Sequence, residues 1–259
     1  MIGLRKSLVF TFALAALTLL AAGCSSEEKK YIIATDTTFA PFEYTDEKGS
    51  FVGADLDILA AIAKDQGFKY ELRPLGFDAA VAALESNQAD GVIAGMSITD
   101  KRKEKYNFSD PYYVSHIVVA IAAGNDSIKS YADLADKTVA AKTGTEGAKF
   151  AESIAEKYKF KIRYFADSPT MYEDVKTGNT VACFEDSPVM AYGITKNNGL
   201  KIVEDPSESS PSSSYGFAVM KSHQANQKLL TMFQAGLAKI KQNGELKGIM
   251  KKYNLNYDF

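Results

Sequence analysis

The 259-residue chain is short of several things, and each shortage excludes something. It carries two cysteines, Cys24 and Cys183, too few for a disulfide framework. Its two histidines, His116 and His223, stand isolated, so no metal-ligand spacing can be recognised and no metal is expected. It has no positive excess. With 30 Lys and Arg against 32 Asp and Glu, the formal charge is -2 and the pI near 5.8, which argues against bulk electrostatic binding to nucleic acid. A G-x-x-x-x-G-K-[ST] loop is missing too, since "AAKTGTEG" has the wrong spacing, and no nucleotide or other cofactor is expected. After residue 24 no run is apolar enough to span a bilayer.

What is present is an ordinary globular composition, 46% hydrophobic and 24% charged, over a length suited to one large or two medium domains. At the N-terminus, Arg5 and Lys6 precede the apolar run Leu8 to Ala22, shorter than a membrane span but suited to a signal-peptide core. The following "LLAAGCSSEEKK" resembles the bacterial lipoprotein signal, with alanine at Ala21 where leucine is commoner. That resemblance implies removal of residues 1–23, lipidation of Cys24, a tether over 24–30, and an extracytoplasmic protein anchored to the cell membrane. Each buried methylene of such an anchor contributes roughly 0.8 kcal/mol. The mature chain would hold 28 basic and 32 acidic residues, net -4. The bland reading is a plain N-terminal anchor, or a signal cleaved elsewhere. Cys183, within "TVACF", reads as a small buried hydrophobe.

From residue 31 short β-rich runs alternate with amphipathic ones. "YIIATD", "YELRPL" and "DGVIAG" read as strands; "DLDILAAIAKDQG" and "DAAVAALESNQ" read as helices. The order recurs as "KTVAAKTGT", "EGAKFAESIAEKY", "KIRYFA", "PTMYEDVKTGN" and "TVACFEDSP". Two such β-α-β-α-β units predict two α/β lobes with parallel sheets and right-handed crossovers. Between them runs "FSDPYYVSHIVVAIAAG", and after them "EDPSESSPSSSYGFAVM"; two crossing segments read as a paired hinge. The periodic stretch Asn226 to Tyr253, with Leu229, Leu230, Phe233, Leu237 and Ile240 on one side, should pack back on the first lobe.

Ligands of open α/β sheets bind beyond the carboxyl ends of the strands. Those loops span 36–42, 76–78, 95–102, 142–147 and 184–188, and most carry a charge. Thr99 is a good N-cap that places Arg102 in a first helical turn. There a guanidinium beside free amides suits a carboxylate or phosphate, although a solvated cation is the bland alternative and is accepted for Lys101 and Lys103. Asp186 could merely cap the helix opening at Ser187 and Pro188, or it could complement a cation across the cleft. Arg102 for a carboxylate and Asp186 for an ammonium describe the two ends of an α-amino acid.

"TDTTFAPFEY", "SFVGADLDI", "AGMSITDKRKEKYNFSDPYY", "KTGT" and "FEDSP" together resemble the polar amino acid binding proteins of bacterial ABC importers, most closely the glutamine type, over residues 31 to 255. The resemblance implies a two-lobed periplasmic-binding-protein-like α/β fold, each lobe a mostly parallel sheet with flanking helices, joined by two hinge strands. Lobe 1 would be 31–113 with 214–259 and lobe 2 114–213, with hinges near 112–117 and 210–215. It implies that Arg102 clamps the ligand carboxylate, helped by Ser97 and Thr145, that Asp186 takes the ammonium near Ala94, Gly95 and Met96, and that Phe39 and Phe77 sandwich the aliphatic part. Those two phenylalanines could equally be core. Asp36 and Lys142 would reach the side chain, one accepting from a primary amide and one donating to it, unless they simply pair with each other. Glutamine is then the expected ligand, with asparagine, glutamate, cystine or a basic amino acid as alternatives. Glu185 stands where the glutamine type carries histidine. The expected role is a non-enzymatic, monomeric capture protein serving an ABC permease. Rival roles are a sensor, or a dehydratase-like enzyme using Glu185 or His116.

Overall fold

A computed structural model describes residues 29–257 except 206, 209 and 211. Cys24 and the signal segment lie outside the described residues. The first half of the chain runs β1 (Lys30–Thr35), β2 (Thr38–Phe39), β3 (Glu43–Thr45), β4 (Phe51–Val52), α1 (Ala54–Gln66), β5 (Lys69–Pro74), α2 (Phe77–Glu85), β6 (Gly91–Val92), β7 (Ser97–Ile98), α3 (Asp100–Lys105) and β8 (Tyr106–Phe108). The long β9 (Tyr113–Ala122) leads into β10 (Thr138–Lys142), α4 (Glu146–Tyr158), β11 (Lys161–Phe165), α5 (Ser168–Lys176), β12 (Cys183–Asp186), α6 (Ser187–Thr195) and β13 (Leu200–Val203). The chain returns through β14 (Ser212–Tyr215) and β15 (Ala218–Met220) and ends in α7 (Gln224–Gln242) and α8 (Glu245–Lys252).

Each β-α-β-α-β unit forms its own sheet. In the first, β5, β1 and β6 are parallel, and the order β5-β1-β6-β15-β8 is completed by antiparallel β15. In the second, β11, β10 and β12 are parallel, with β9 antiparallel to β12 and β13 antiparallel to β9. The two lobes are joined where β9 and β14 run side by side, from Tyr113 opposite Tyr215 to His116 opposite Ser212. One strand goes out and the other comes back.

Both sheets are covered on both faces, as parallel sheets require. On the first, Ile58, Leu59 and Ile62 of α1 pack with Leu229, Phe233, Leu237 and Ile240 of α7, while Ala80 and Leu84 of α2 cover the opposite face. The helices approach closely because Gly236 has no side chain; a Cβ there would stand 2.7 Å from Ile62. In the second lobe, alternation along β10 sends Val139 towards Phe150 and Ile154 of α4, and Ala140 towards Met171 and Val175 of α5. Cys183 sits in the latter core, and burial pushes its thiol well above the ordinary range. The expected strand 90–95 shortens to Gly91–Val92, because the left-handed turn at Gly95 (φ 53°) takes the backbone out of the ladder and into the cleft.

Candidate ligand-binding cleft

The carboxyl ends of β1, β6, β10 and β12 meet between the lobes. Thr99 caps α3 by accepting from the Arg102 amide at 3.2 Å, which puts Arg102 third in the helix. Its guanidinium turns inward, 7% exposed, while Lys101 and Lys103 stay in solvent. It donates to the Ser97 carbonyl at 2.9 Å and, across the cleft, to the Gly144 carbonyl at 3.1 Å. Its plane lies 5.4 Å from the centre of the Phe77 ring. Burial lowers its pKa, opposed by the carboxylates of Glu146 and Asp186.

Asp186 stands at the N-cap of α6 but makes no capping bond there. It accepts instead from Ser115 at 3.0 Å and Tyr215 at 2.5 Å, one hydroxyl from each strand joining the lobes. Burial first, and the neighbouring Glu185 second, push its carboxyl up to about 7. Glu185 is fully engaged inside its own lobe, accepting from Ser168 at 2.9 Å, Tyr172 at 2.8 Å and the Asp186 amide at 3.0 Å.

Asp36 and Lys142 do pair, across the cleft and out of reach of solvent. The Asp36 carboxylate also accepts the Thr37 amide at 2.6 Å, and the Lys142 ammonium also reaches the Thr38 hydroxyl at 3.3 Å. The Thr145 hydroxyl caps α4 and donates to the Lys142 carbonyl at 2.7 Å; that of Ser97 donates to Ser213 at 3.2 Å.

Asp36, Phe39, Phe77, Ala94, Gly95, Ser97, Arg102, Thr145 and Asp186 line one small cavity of about 10 Å³. Space of that size suits roughly one water. The cleft is therefore shut, with Tyr192 of α6 also donating to Tyr44 of β3 at 3.1 Å. Two expected residues lie outside the lining. Met96 packs with Leu84 and Tyr106 in the first core, because the chain beyond the Gly95 turn points it inward, and Lys142 is paired with the lining residue Asp36.

One lining residue escaped the sequence reading. Glu146, first residue of α4, places its carboxylate 3.6 Å from Arg102 and 2.8 Å from the Lys149 ammonium. Its signal was its position in the 142–147 loop, directly after a strand end. His116 is exposed and meets Ser187 at 3.2 Å, and His223 meets Asn87 at 2.6 Å, both away from the cavity lining. Among the described residues no group of three metal-binding side chains converges, and no helix is long and apolar enough to cross a membrane.

A shut cleft between two α/β lobes, crossed by two strands and lined by buried charges of both signs, defines a two-lobed solute-binding fold. The sequence profile of the bacterial extracellular solute-binding proteins, family 3, matches residues 31–256, and the chain belongs to that family. It is 31% identical to an arginine-binding periplasmic protein of Mannheimia haemolytica, over 92% of this chain and 96% of that one. An ancestral arginine-binding protein, solved bound to arginine and bound to glutamine, is 36% identical; each structure covers 86% of this chain and 97% of its own, with TM-scores of 0.78 and 0.77. Substrate-binding domain 2 of Lactococcus lactis GlnP, solved open, is 39% identical over 90% of this chain and 98% of its own, with a TM-score of only 0.59. The higher score to the liganded structures at lower identity agrees with the shut cleft.

Proposed function

We propose that the chain captures a free polar L-amino acid, glutamine foremost, by closing its lobes around it, and presents it to an ABC permease. The observation that carries this reading is that Arg102 and Asp186, from opposite lobes, line the same cavity and are each held chiefly by neutral groups. An α-carboxylate and an α-ammonium would complete them. Lobe 1 is then 31–113 with 214–259 and lobe 2 is 114–213, flexing near 112–117 and 210–215. Phe39 and Phe77 flank the aliphatic carbons. Asp36 and Lys142, already neutralising each other, accept from and donate to a primary amide without any net charge to compensate. That favours glutamine, and an ancestral relative solved bound to glutamine supports the reading.

A cationic side chain is the second reading. Glu146 adds a carboxylate to the cavity, and the Mannheimia haemolytica relative is named for arginine. An enzymatic role has little support: Glu185 is saturated by three donors within its lobe and His116 is exposed. We infer further that Cys24 carries the lipid anchor and that the protein acts as a tethered monomer outside the cytoplasm. Mass spectrometry of the membrane fraction should find acylated Cys24; a soluble product beginning elsewhere would remove the anchor.

A thermal-shift panel of amino acids tests the reading, because a ligand of the native state raises stability by RT ln(1 + [L]/Kd). Glutamine should raise the Tm most, and decarboxylated or deaminated analogues should leave it unmoved. An equal shift from such an analogue would remove Arg102 or Asp186 from the site.

A further inference from the structure

Beneath the cleft floor lie two carboxyls that the binding chemistry above does not use. Glu43 on β3 and Asp55 in the first turn of α1 are both fully buried. Their backbones are clamped together: the Asp55 amide donates to the Phe42 carbonyl at 3.0 Å and the Ala54 amide to the Pro41 carbonyl at 3.0 Å. Gly53 makes this possible, since a Cβ there would sit 1.8 Å from the Phe42 oxygen. One oxygen of Asp55 accepts the Gly95 amide at 2.8 Å and the Tyr112 hydroxyl at 2.8 Å. The other, like both oxygens of Glu43, meets no N–H or O–H donor among the described residues.

Two neighbouring buried carboxylates, three of whose oxygens find no donor, cannot both stay ionised, because an unpartnered buried charge is strongly disfavoured. A single proton removes one of the two charges and pairs two of the three orphaned oxygens. We propose that Glu43 and Asp55 are positioning residues for the ligand cleft: Glu43 keeps a proton and donates it to Asp55, whose carboxylate holds the Gly95 amide and so fixes the Ala94–Gly95 peptide that lines the site. The turn itself requires glycine: φ is left-handed at 53°, and a Cβ at Gly95 would stand 2.2 Å from the Phe39 ring, so the Asp55 bond is what restrains an otherwise permissive residue. The link from the shared proton to amino acid affinity rests on the proposed function; the link to Gly95 does not.

The charged and titratable groups around the pair agree. Burial raises Glu43 well above the carboxylate range, with Asp55 and Asp36 adding to the effect and Lys142 opposing it. Asp55 rises to about 7 through burial, restrained by the Gly95 amide and the Tyr112 hydroxyl. Both directions agree with one proton retained by the pair, held on Glu43.

The test follows the Gly95 amide by NMR in the full mature chain, alongside Kd values for glutamine. In wild type the Gly95 amide resonance should move with a midpoint near pH 7 and exchange slowly above it. Asp55→Asn should abolish that titration. Glu43→Gln, whose amide still donates, should keep Gly95 protection and a Kd within about threefold of wild type, whereas Glu43→Leu, which cannot donate, should lose both, with Kd rising about tenfold. Unchanged Gly95 exchange and titration in Asp55→Asn and Glu43→Leu would overturn the proposal, as would equal losses in Glu43→Gln and Glu43→Leu. Failure of wild type to bind any amino acid would overturn the proposed function alone, because the Gly95 readout needs no ligand.

Discussion

Two pairs of opposite charges span the cleft, and they are built differently. Lys142 and Asp36 are in direct contact, and each answers the other's charge. Arg102 and Asp186 are held mainly by carbonyls and hydroxyls, so burial pulls the guanidinium down and pushes the carboxyl up to about 7. A self-neutralised pair can recognise a neutral dipole, while groups strained by burial recognise the opposite charge. The first therefore suits discrimination among side chains and the second suits capture of the two α groups.

The comparison breaks most decisively at Arg102. Arg102→Met removes the carboxylate partner and leaves the ligand anion buried without a cation, a loss of about 2–5 kcal/mol for truncated charge pairs. Glutamine affinity should fall about a thousandfold by isothermal titration, with the fold kept by circular dichroism. A loss under tenfold would mean that the α-carboxylate sits elsewhere.

Asp186→Asn should cost about a hundredfold and, unlike Arg102→Met, should change the pH profile. In the free protein the folded state holds a proton on Asp186 that the unfolded chain releases near its ordinary pKa of 3.8, so the stability from this group is present in acid and is lost as pH rises through about 7. An ammonium ligand has the reverse effect, since it favours the ionised form. Wild-type affinity should thus be about tenfold weaker at pH 6 than at pH 8, with protons released on binding, and Asp186→Asn should flatten the profile, keeping only the part that the Asp55 proton contributes.

Much of this was legible in the chain. The periodicities of 55–67 and 146–158 reproduce α1 and α4 almost to the residue, because amphipathic helices with clear stops, Gly67 and the turn at Lys159, carry their own boundaries. Thr99 likewise announced the turn that aims Arg102. What a linear reading could not reach depends on how close two lobes come. Glu146 drew no notice in the sequence, since only the closed cleft sets it beside Arg102, and Asp186 stood equally as a cap or as a partner for a cation until Ser115 and Tyr215 claimed it from strands about 30 residues or more away in sequence. Only the two crossing strands bring those hydroxyls together.

Lys142→Met probes the self-neutralised pair. Loss of one partner of a buried ion pair ordinarily costs about 3–5 kcal/mol. Here Asp36 and Lys142 belong to different lobes, so opening the cleft can return Asp36 to water and relieve much of that cost. The expected outcome is a larger radius of gyration by small-angle scattering, a Tm lowered by only a few degrees, and glutamine affinity reduced about 30-fold. Affinity for a hydrophobic amino acid should fall much less, because it makes no use of the ammonium. Equal losses for both would take Lys142 out of side-chain recognition.

The smallest expected effect separates the two ligand readings. Glu146 sets a carboxylate 3.6 Å from Arg102, where it competes for the guanidinium with an incoming α-carboxylate and repels it. Lys149, 2.8 Å away and partly exposed, offsets part of that charge. If the ligand is neutral, Glu146→Gln should tighten glutamine binding about threefold and make it less sensitive to salt, since screening would have less repulsion left to relieve. If the ligand is cationic, Glu146 instead serves its side chain, and the same substitution should weaken arginine about tenfold while leaving glutamine unchanged. One pair of titrations on a single variant therefore decides whether the third carboxylate of the cleft is an obstacle the ligand must displace or a contact it seeks.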